Sequence, residues 1–78
     1  MSDLRDLAPE YWKQLSDTVY NKHKDENGNY ISASGSYKSK NKLDFQIDHI
    51  KSMHNGGLTE LDNLQLLTRS ENALKGAS

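Results

Sequence analysis

The sequence predicts a small α+β protein in which an N-terminal helix precedes a strand–loop–strand–helix unit. Within residues 9–22, apolar side chains recur at every fourth position, as they do along one face of a helix. Residues 43–47 alternate apolar and polar side chains, which is typical of a half-buried strand. Further along, Thr68 is followed three residues later by Glu71, a pattern that favours the start of a helix.

The N-terminal helix is predicted over residues 9–22. Pro9 suits the first helical position, because its ring fixes a helical φ and its missing N–H would have no helical partner there. One apolar stripe follows along the helix. Its members are Tyr11, Leu15 and Val19, with Trp12 alongside.

The middle of the chain has weaker signals. Residues 25–29, Asp-Glu-Asn-Gly-Asn, form a strong turn pattern, and Tyr30 with Ile31 suggests a short strand after it. Residues 32–42 are rich in serine, lysine and glycine. We therefore expect a mobile, basic loop between the helix and the C-terminal half.

The C-terminal half is predicted to be a ββα unit over residues 43–77. After the first strand, Gly56-Gly57 marks a turn inside a long connection, and Leu64, Leu66 and Leu67 suggest the second strand. The capping pattern at Thr68 then begins a short helix. Such a helix is marginal alone, so either packing holds it or the chain belongs to something longer.

Composition excludes several classes of protein. The chain has no cysteine, so disulfides and thiolate zinc sites are excluded. No apolar run approaches the ~20 residues that span a membrane, and four acidic residues among the first twenty argue against a signal peptide. We therefore expect a cytoplasmic protein with no membrane partner. The net charge of −1 predicts that any nucleic-acid binding uses a local patch or another domain.

Two oxygen ligands point to a hard divalent cation. Asp48 offers a carboxylate at the end of the first predicted strand, and Asn72 offers an amide oxygen near the start of the last helix. Such ligands suit Mg²⁺ or Mn²⁺, and magnesium often takes only one or two protein ligands beside water and substrate phosphate. The pair is therefore sufficient for a phosphodiester site.

His49 is the candidate general base. A histidine with an ordinary pKa of about 6.5 can accept a proton from water near neutral pH. Adjacent side chains on a regular strand face opposite ways, so Asp48 and His49 share a site only if the strand ends or twists there. Asn63 is predicted to tie down the loop backbone behind His49, because its amide both donates and accepts hydrogen bonds.

These elements together resemble the HNH (His-Me finger) endonucleases, and in particular the HNH domain of CRISPR effector nucleases. The resemblance covers about residues 43–77. It depends on Asp48-His49, on an asparagine fourteen residues later (Asn63), on Leu-Thr-Arg-Ser at residues 67–70, and on Asn72. Asn72 stands where the family's name-giving pattern has a histidine, and the flanking Cys-x-x-Cys pairs of many members are missing.

The resemblance implies a ββα-metal fold with an additional N-terminal helix, making one HNH domain over residues 1–78. It implies His49 as the base, Asn63 as its support, and Asp48 and Asn72 as ligands of one Mg²⁺ or Mn²⁺, with no structural zinc. Nucleic acid, most of all DNA, is the expected partner, within a larger protein or complex if the domain does not act alone. The candidate phosphate contacts are Lys38, Lys40, Lys42, Lys51, Arg69 and Lys75.

The main alternative is a binding module with the same fold and no catalysis, docking onto nucleic acid or a protein. The slightly acidic balance of the chain favours it. Retention of Asp48, His49 and Asn72 together favours the nuclease, since an inactive copy has no physical need for all three.

Overall fold

A computed structural model of the protein describes residues 8–76. Residues 1–7 and 77–78, the two ends of the predicted domain, lie outside the described residues. The helices and strands, in chain order, are α1 (Pro9–Lys22), β1 (Tyr30–Ile31), β2 (Lys38–Ser39), β3 (Gln46–His49), β4 (Leu64–Leu67) and α2 (Arg69–Lys75).

Helix α1 begins at Pro9, as predicted, and packs one face on the core. Leu15 and Val19 are buried, and Trp12 is half-buried against them. Tyr11, which we expected on the same stripe, is 54 % exposed, so that part of the prediction is wrong. Trp12, the next residue along the helix, contacts the core instead, which shows that the buried face is centred away from Tyr11.

The segment 32–42, which the sequence predicts to be a loop, contains a short strand. Its strand β2 pairs antiparallel with β1, Tyr30 opposite Ser39. The buried Ser32 accepts a hydrogen bond from the Tyr37 backbone N–H (3.3 Å). The Ala33 backbone N–H donates to the Leu66 carbonyl at 2.8 Å and so attaches the segment to β4. The sequence prediction missed the pairing with β1 and the bond to Leu66 because both join the segment to partners outside its local pattern.

The first strand of the ββα unit begins later than its alternation predicts. Residues Lys42–Asp44 form a 3₁₀ turn, and the strand itself is Gln46–His49. The Asn41 side chain accepts a hydrogen bond from the Leu43 backbone N–H (3.0 Å), which favours the turn over an extended chain. Leu43 consequently points to solvent and is 80 % exposed.

Strands β3 and β4 form an antiparallel ladder that lies between the two helices. In its register Asp48 lies opposite Gln65, and Ile47 lies opposite Leu66. Because side chains alternate along a strand, each of these pairs occupies one face. Ile47 and Leu66 lie on the face that joins the core below α1, while Asp48 and Gln65 lie on the face below α2. The core itself consists of Leu15, Val19, Phe45, Leu64 and Leu66.

Helix α2 begins with the capping box that the sequence predicts. The Thr68 hydroxyl accepts from the Glu71 backbone N–H (3.1 Å), and a Glu71 carboxylate oxygen accepts from the Thr68 backbone N–H (2.9 Å). The Ser34 hydroxyl also donates to Glu71. The bonds that its carboxylate accepts, from the Ser34 hydroxyl first and then from the Thr68 backbone N–H, hold the pKa of Glu71 below its usual range. A helix of seven residues is thereby fixed at its start and by packing on both strands.

The architecture confirms the predicted fold class, an α+β protein with a ββα unit and an N-terminal helix. Among residues 8–76, no helix is both long and apolar enough to cross a membrane.

Candidate metal and catalytic site on the β3–β4 ladder

Asp48 lies on the α2 side of the ladder and is largely enclosed. One of its oxygens, Oδ2, accepts a hydrogen bond from Gln65 Nε2 (3.0 Å) and lies 3.2 Å from Lys75 Nζ. Only 13 % of the Asp48 side chain is exposed. A carboxylate in such surroundings needs a cationic partner, and in this structure the Lys75 ammonium supplies it.

Lys75 brings two of the predicted site residues together. Its ammonium contacts the Asp48 carboxylate and also donates to the His49 backbone carbonyl at 2.9 Å. The ammonium therefore lies at the C-terminal end of β3, where the long loop begins. The position beside Asp48 already accommodates a positive charge.

Asn72 lies one helical turn before Lys75, so both side chains project from the same face of α2. Asn72 Nδ2 donates to Gln46 Oε1 at 2.8 Å. Gln46 is two residues before Asp48 on β3 and therefore lies on the same face of the ladder. The structure thus places Asp48, Asn72 and Lys75 between α2 and one face of the hairpin.

His49 is placed differently from Asp48. The ladder remains paired through His49, which lies opposite Leu64, so alternation directs its side chain away from the Asp48 face. The strand ends there, as we expected, but the imidazole contacts the loop. His49 Nε2 lies 2.8 Å from Thr59 Oγ1. The two neighbours are linked through the Lys75 ammonium rather than through their side chains.

The Thr59 hydroxyl contacts one of the two imidazole nitrogens, Nε2, at 2.8 Å. Two arrangements satisfy this contact: the hydroxyl donates to Nε2, or Nε2–H donates to the hydroxyl oxygen while the hydroxyl proton is directed to the Met53 sulfur, 3.9 Å away. A proton on Nε2 leaves Nδ1 as the basic nitrogen of a neutral imidazole.

Asn63 ties the two ends of the long loop together. Its Oδ1 accepts from the Lys51 backbone N–H (2.9 Å), and its Nδ2 donates to the carbonyls of Lys51 (3.0 Å) and Leu58 (2.8 Å). Leu58 directly precedes Thr59, the residue that contacts the imidazole. Asn63 therefore holds the loop that carries the histidine's partner.

The hydrogen bonds between Asn63 and Lys51 leave no room for a side chain at Gly57. A Cβ added at Gly57 would lie 1.8 Å from the Lys51 carbonyl oxygen and 2.9 Å from Asn63 Nδ2. Only a residue without a side chain fits such a close approach of backbone to backbone. Gly56 beside it has a left-handed φ of +89°, and the pair therefore makes the predicted turn.

The predicted basic residues do not form one free patch. Lys42 lies 3.7 Å from Asp17 and 4.9 Å from the centre of the Tyr20 ring, so it contacts α1 and does not extend from a mobile loop. Lys38 belongs to β2. The hydrogen bonds that Asp25 accepts from the Asn29 and Asn27 backbones lower its pKa, and the positive charge of Lys38 lowers it further. Of the remaining candidate phosphate contacts, three are exposed: Lys40, Lys51 and Arg69.

The described residues offer few ligands for a cation at this site. Among residues 8–76, no group of three or more His, Cys, Asp or Glu side chains could hold a metal ion. One carboxylate and one amide remain, Asp48 and Asn72, which is a donor set that Mg²⁺ or Mn²⁺ completes with water and phosphate. In this structure the Lys75 ammonium lies beside Asp48, at the position that such a cation would take.

Sequence reasoning missed three residues of the site: Gln46, Gln65 and Thr59. The two-residue spacing from Asp48 places Gln46 on its face of the strand and was a usable signal. Gln65 follows only from the register of the ladder, and Thr59 only from the path of the loop.

We predict that Asn63→Asp destabilises the fold. The carboxylate keeps the bond from the Lys51 N–H, but it loses both donor bonds and faces two carbonyl oxygens. Each lost bond costs about 1 kcal/mol, so the free energy of unfolding should fall by about 2 kcal/mol or more in urea titration. Asn27→Asp, in the exposed turn before β1, is the matched control. If Asn63→Asp changed the free energy of unfolding by less than about 0.5 kcal/mol, the size expected at an unconstrained surface position, Asn63 would not close the loop as described.

Comparison with known proteins identifies the family. The family model described as HNH endonuclease matches residues 36–78, more than half of the chain. None of the curated proteins and none of the solved structures matches the chain. The matched region holds the ββα unit and every residue of the site described above. The chain therefore belongs to the HNH endonuclease family.

Proposed function

We propose that the chain is a metal-dependent endonuclease domain that hydrolyses DNA phosphodiester bonds, and that residues 1–78 make one HNH domain. The observation that carries the proposal is the Lys75 ammonium, which contacts the Asp48 carboxylate and the His49 carbonyl at the end of β3. This contact supports the proposal because it brings the end of α2 against the two adjacent residues that would carry the ligand and the base, through the Asp48 side chain and the His49 backbone.

Asp48 and Asn72 are the residues that would hold the divalent cation. A bound Mg²⁺ or Mn²⁺ polarises the phosphate and stabilises the leaving oxygen. With such a cation bound, Asp48 would no longer need Lys75 to balance its charge, and the Lys75 ammonium would contact the phosphate of the substrate. Because Lys75 lies on the same helical face as Asn72, it remains beside the site when it leaves Asp48.

His49 is proposed to accept the proton of the attacking water at Nδ1. This role requires the other nitrogen, Nε2, to be protonated and to donate to the Thr59 oxygen 2.8 Å away, so that Thr59 would hold both the tautomer and the ring. Asn63 acts one step further away, by binding the Leu58 carbonyl beside Thr59. We therefore assign Thr59 and Asn63 as positioning residues and His49 as the catalytic base.

Charge supports a weakly binding domain that works within a larger protein or complex. The net charge is −1, and Asp17 and Asp25 offset part of the positive charge of Lys42 and Lys38. The remaining phosphate contacts are proposed for the exposed basic side chains and Lys75. Few such contacts predict low affinity and a shallow dependence on salt.

The second candidate is a nucleic-acid or protein binding module without catalysis. The same Lys75 contact favours it, because a permanent Lys75–Asp48 ion pair would neutralise the ligand and keep a metal out. The nuclease requires the ion pair to exchange for a metal, and the binding module requires it to persist.

Nicking of supercoiled plasmid separates the two functions. We expect the parent to cut with Mg²⁺ or Mn²⁺ and to stop when a chelator is added. His49→Ala should lower the rate by roughly 10²–10⁴-fold, the usual effect of losing a general base. His54→Ala, an exposed histidine in the same loop, should cut like the parent. DNA binding without any cleavage by the parent would favour the binding module. Cleavage by His49→Ala at the parent's rate would show that His49 is not the base.

We predict that Thr59→Val slows cleavage while Thr59→Ser preserves it. Valine has nearly the shape of threonine but cannot accept from His49 Nε2–H, whereas serine keeps the hydroxyl. The rate under saturating metal should fall about tenfold or more for Thr59→Val, and unfolding in urea should show that both variants fold. Equal rates for the two variants would contradict the positioning role of Thr59.

We predict that Lys75→Met tightens metal binding and slows cleavage. The substitution removes the ammonium that competes for Asp48, so calorimetric titration with Mn²⁺ should give a Kd about tenfold lower. The loss of its phosphate contact should lower the cleavage rate. Lys13→Met, on the exposed side of α1, is the matched control. An unchanged Kd for Lys75→Met would contradict the exchange of ammonium for metal.

A further inference from the structure

We propose that Gln46 is a positioning residue that decides which end of the Asn72 amide faces the metal. The inference rests on the metal site proposed above. Gln46 touches neither the substrate nor the metal in this account. It acts through Asn72 alone, from the first position of β3.

The two ends of an asparagine amide differ chemically. The oxygen accepts and can ligate a hard cation, while the NH₂ group only donates. An asparagine with no partner at either end can turn its NH₂ group toward the cation, which prevents ligation. A metal site with one amide ligand therefore needs something to fix the amide orientation.

Gln46 supplies this restraint in the structure. Its Oε1 accepts from Asn72 Nδ2 at 2.8 Å, in a partly buried contact. The NH₂ end of Asn72 is thereby directed to the strand, and Oδ1 is the end left to face a ligand. With the Gln46 oxygen turned toward Asn72, as in this structure, the hydrogen bond favours one of the two orientations of the Asn72 amide.

Both partners are themselves held in place. Gln46 lies in the paired part of β3, opposite Leu67, and Asn72 lies in a helix whose start is fixed by the Thr68 capping box. Alternation along β3 places Gln46 on the same face as Asp48. The strand therefore carries one proposed ligand and the group that orients the other.

The test is a double-mutant cycle measured by calorimetric titration with Mn²⁺. Gln46→Met removes the acceptor with little change of volume and should weaken binding about tenfold, at the lower end of the usual effect of removing a hydrogen-bond partner from a metal ligand. In the Asn72→Asp background both ends of the ligand are oxygens, so orientation no longer matters. There Gln46→Met should change the Kd by less than about threefold, because the lost bond served only to orient an amide.

Gln46→Glu provides the rescue, because a carboxylate still accepts from Asn72 Nδ2. It should bind Mn²⁺ at least as tightly as the parent. Gln14→Met makes the same chemical change on the exposed side of α1 and should leave the Kd unchanged. Asp48→Ala should lose binding whether or not Gln46 has the proposed role.

The outcomes separate this inference from the site on which it rests. A tenfold loss for Gln46→Met in both backgrounds would show a general structural effect and overturn the inference. An unchanged Kd for Gln46→Met, beside a clear loss for Asp48→Ala, would overturn it while the metal site stands. An Asp48→Ala variant that binds Mn²⁺ like the parent would overturn the metal site and this inference with it.

Discussion

The antiparallel pairing of β3 with β4 decides which side chains face the core and which face the candidate site. Because side chains alternate along a strand, a slip of one residue would exchange the two faces of the ladder. The present register directs Ile47 and Leu66 to the core and Asp48 and Gln65 to the opposite face. One set of hydrogen bonds therefore builds the core and the candidate site together, and neither can shift without the other.

The candidate site is polar and is held by directional contacts rather than by packing. Lys75 balances Asp48, Asn63 closes the long loop, and Thr59 contacts the imidazole. A partly buried polar group whose partner is lost bears a desolvation penalty, so these contacts specify one arrangement of the loop and the helix. The Lys75 ammonium that stabilises Asp48 would also compete with a metal for the same carboxylate.

Patterns within a few residues of one another were sufficient to predict much of this molecule. Pro9 and the capping box at Thr68 mark helix starts because each acts on its own backbone neighbours. The 3₁₀ turn at Leu43 was missed because a single side-chain bond from Asn41 overrides the alternation of the strand. Local periodicity also predicted that Tyr11 lies in the core. In the structure Tyr11 is exposed, and Trp12 packs against the core in its place.

The residues that define the site's chemistry were predictable only in part. Asp48, His49, Asn63 and Asn72 stand out as an ordered motif in the sequence. Gln46 contacts a residue 26 positions away, and Thr59 contacts one 10 positions away, so neither contact has a local signal. The pairing of Lys75 with Asp48 also needs the docking of α2 on the ladder, which residue spacing does not encode.

Anomalous difference density in crystals of the protein soaked in Mn²⁺ would test whether this face of the hairpin binds a metal. We expect one Mn²⁺ bound to Asp48 and to the side-chain oxygen of Asn72, with the Lys75 ammonium moved away from Asp48. Crystals of the Asp48→Ala variant should lack the peak. Anomalous density elsewhere on the molecule, with the Lys75–Asp48 ion pair intact, would contradict the claim that this face of the hairpin is a metal site.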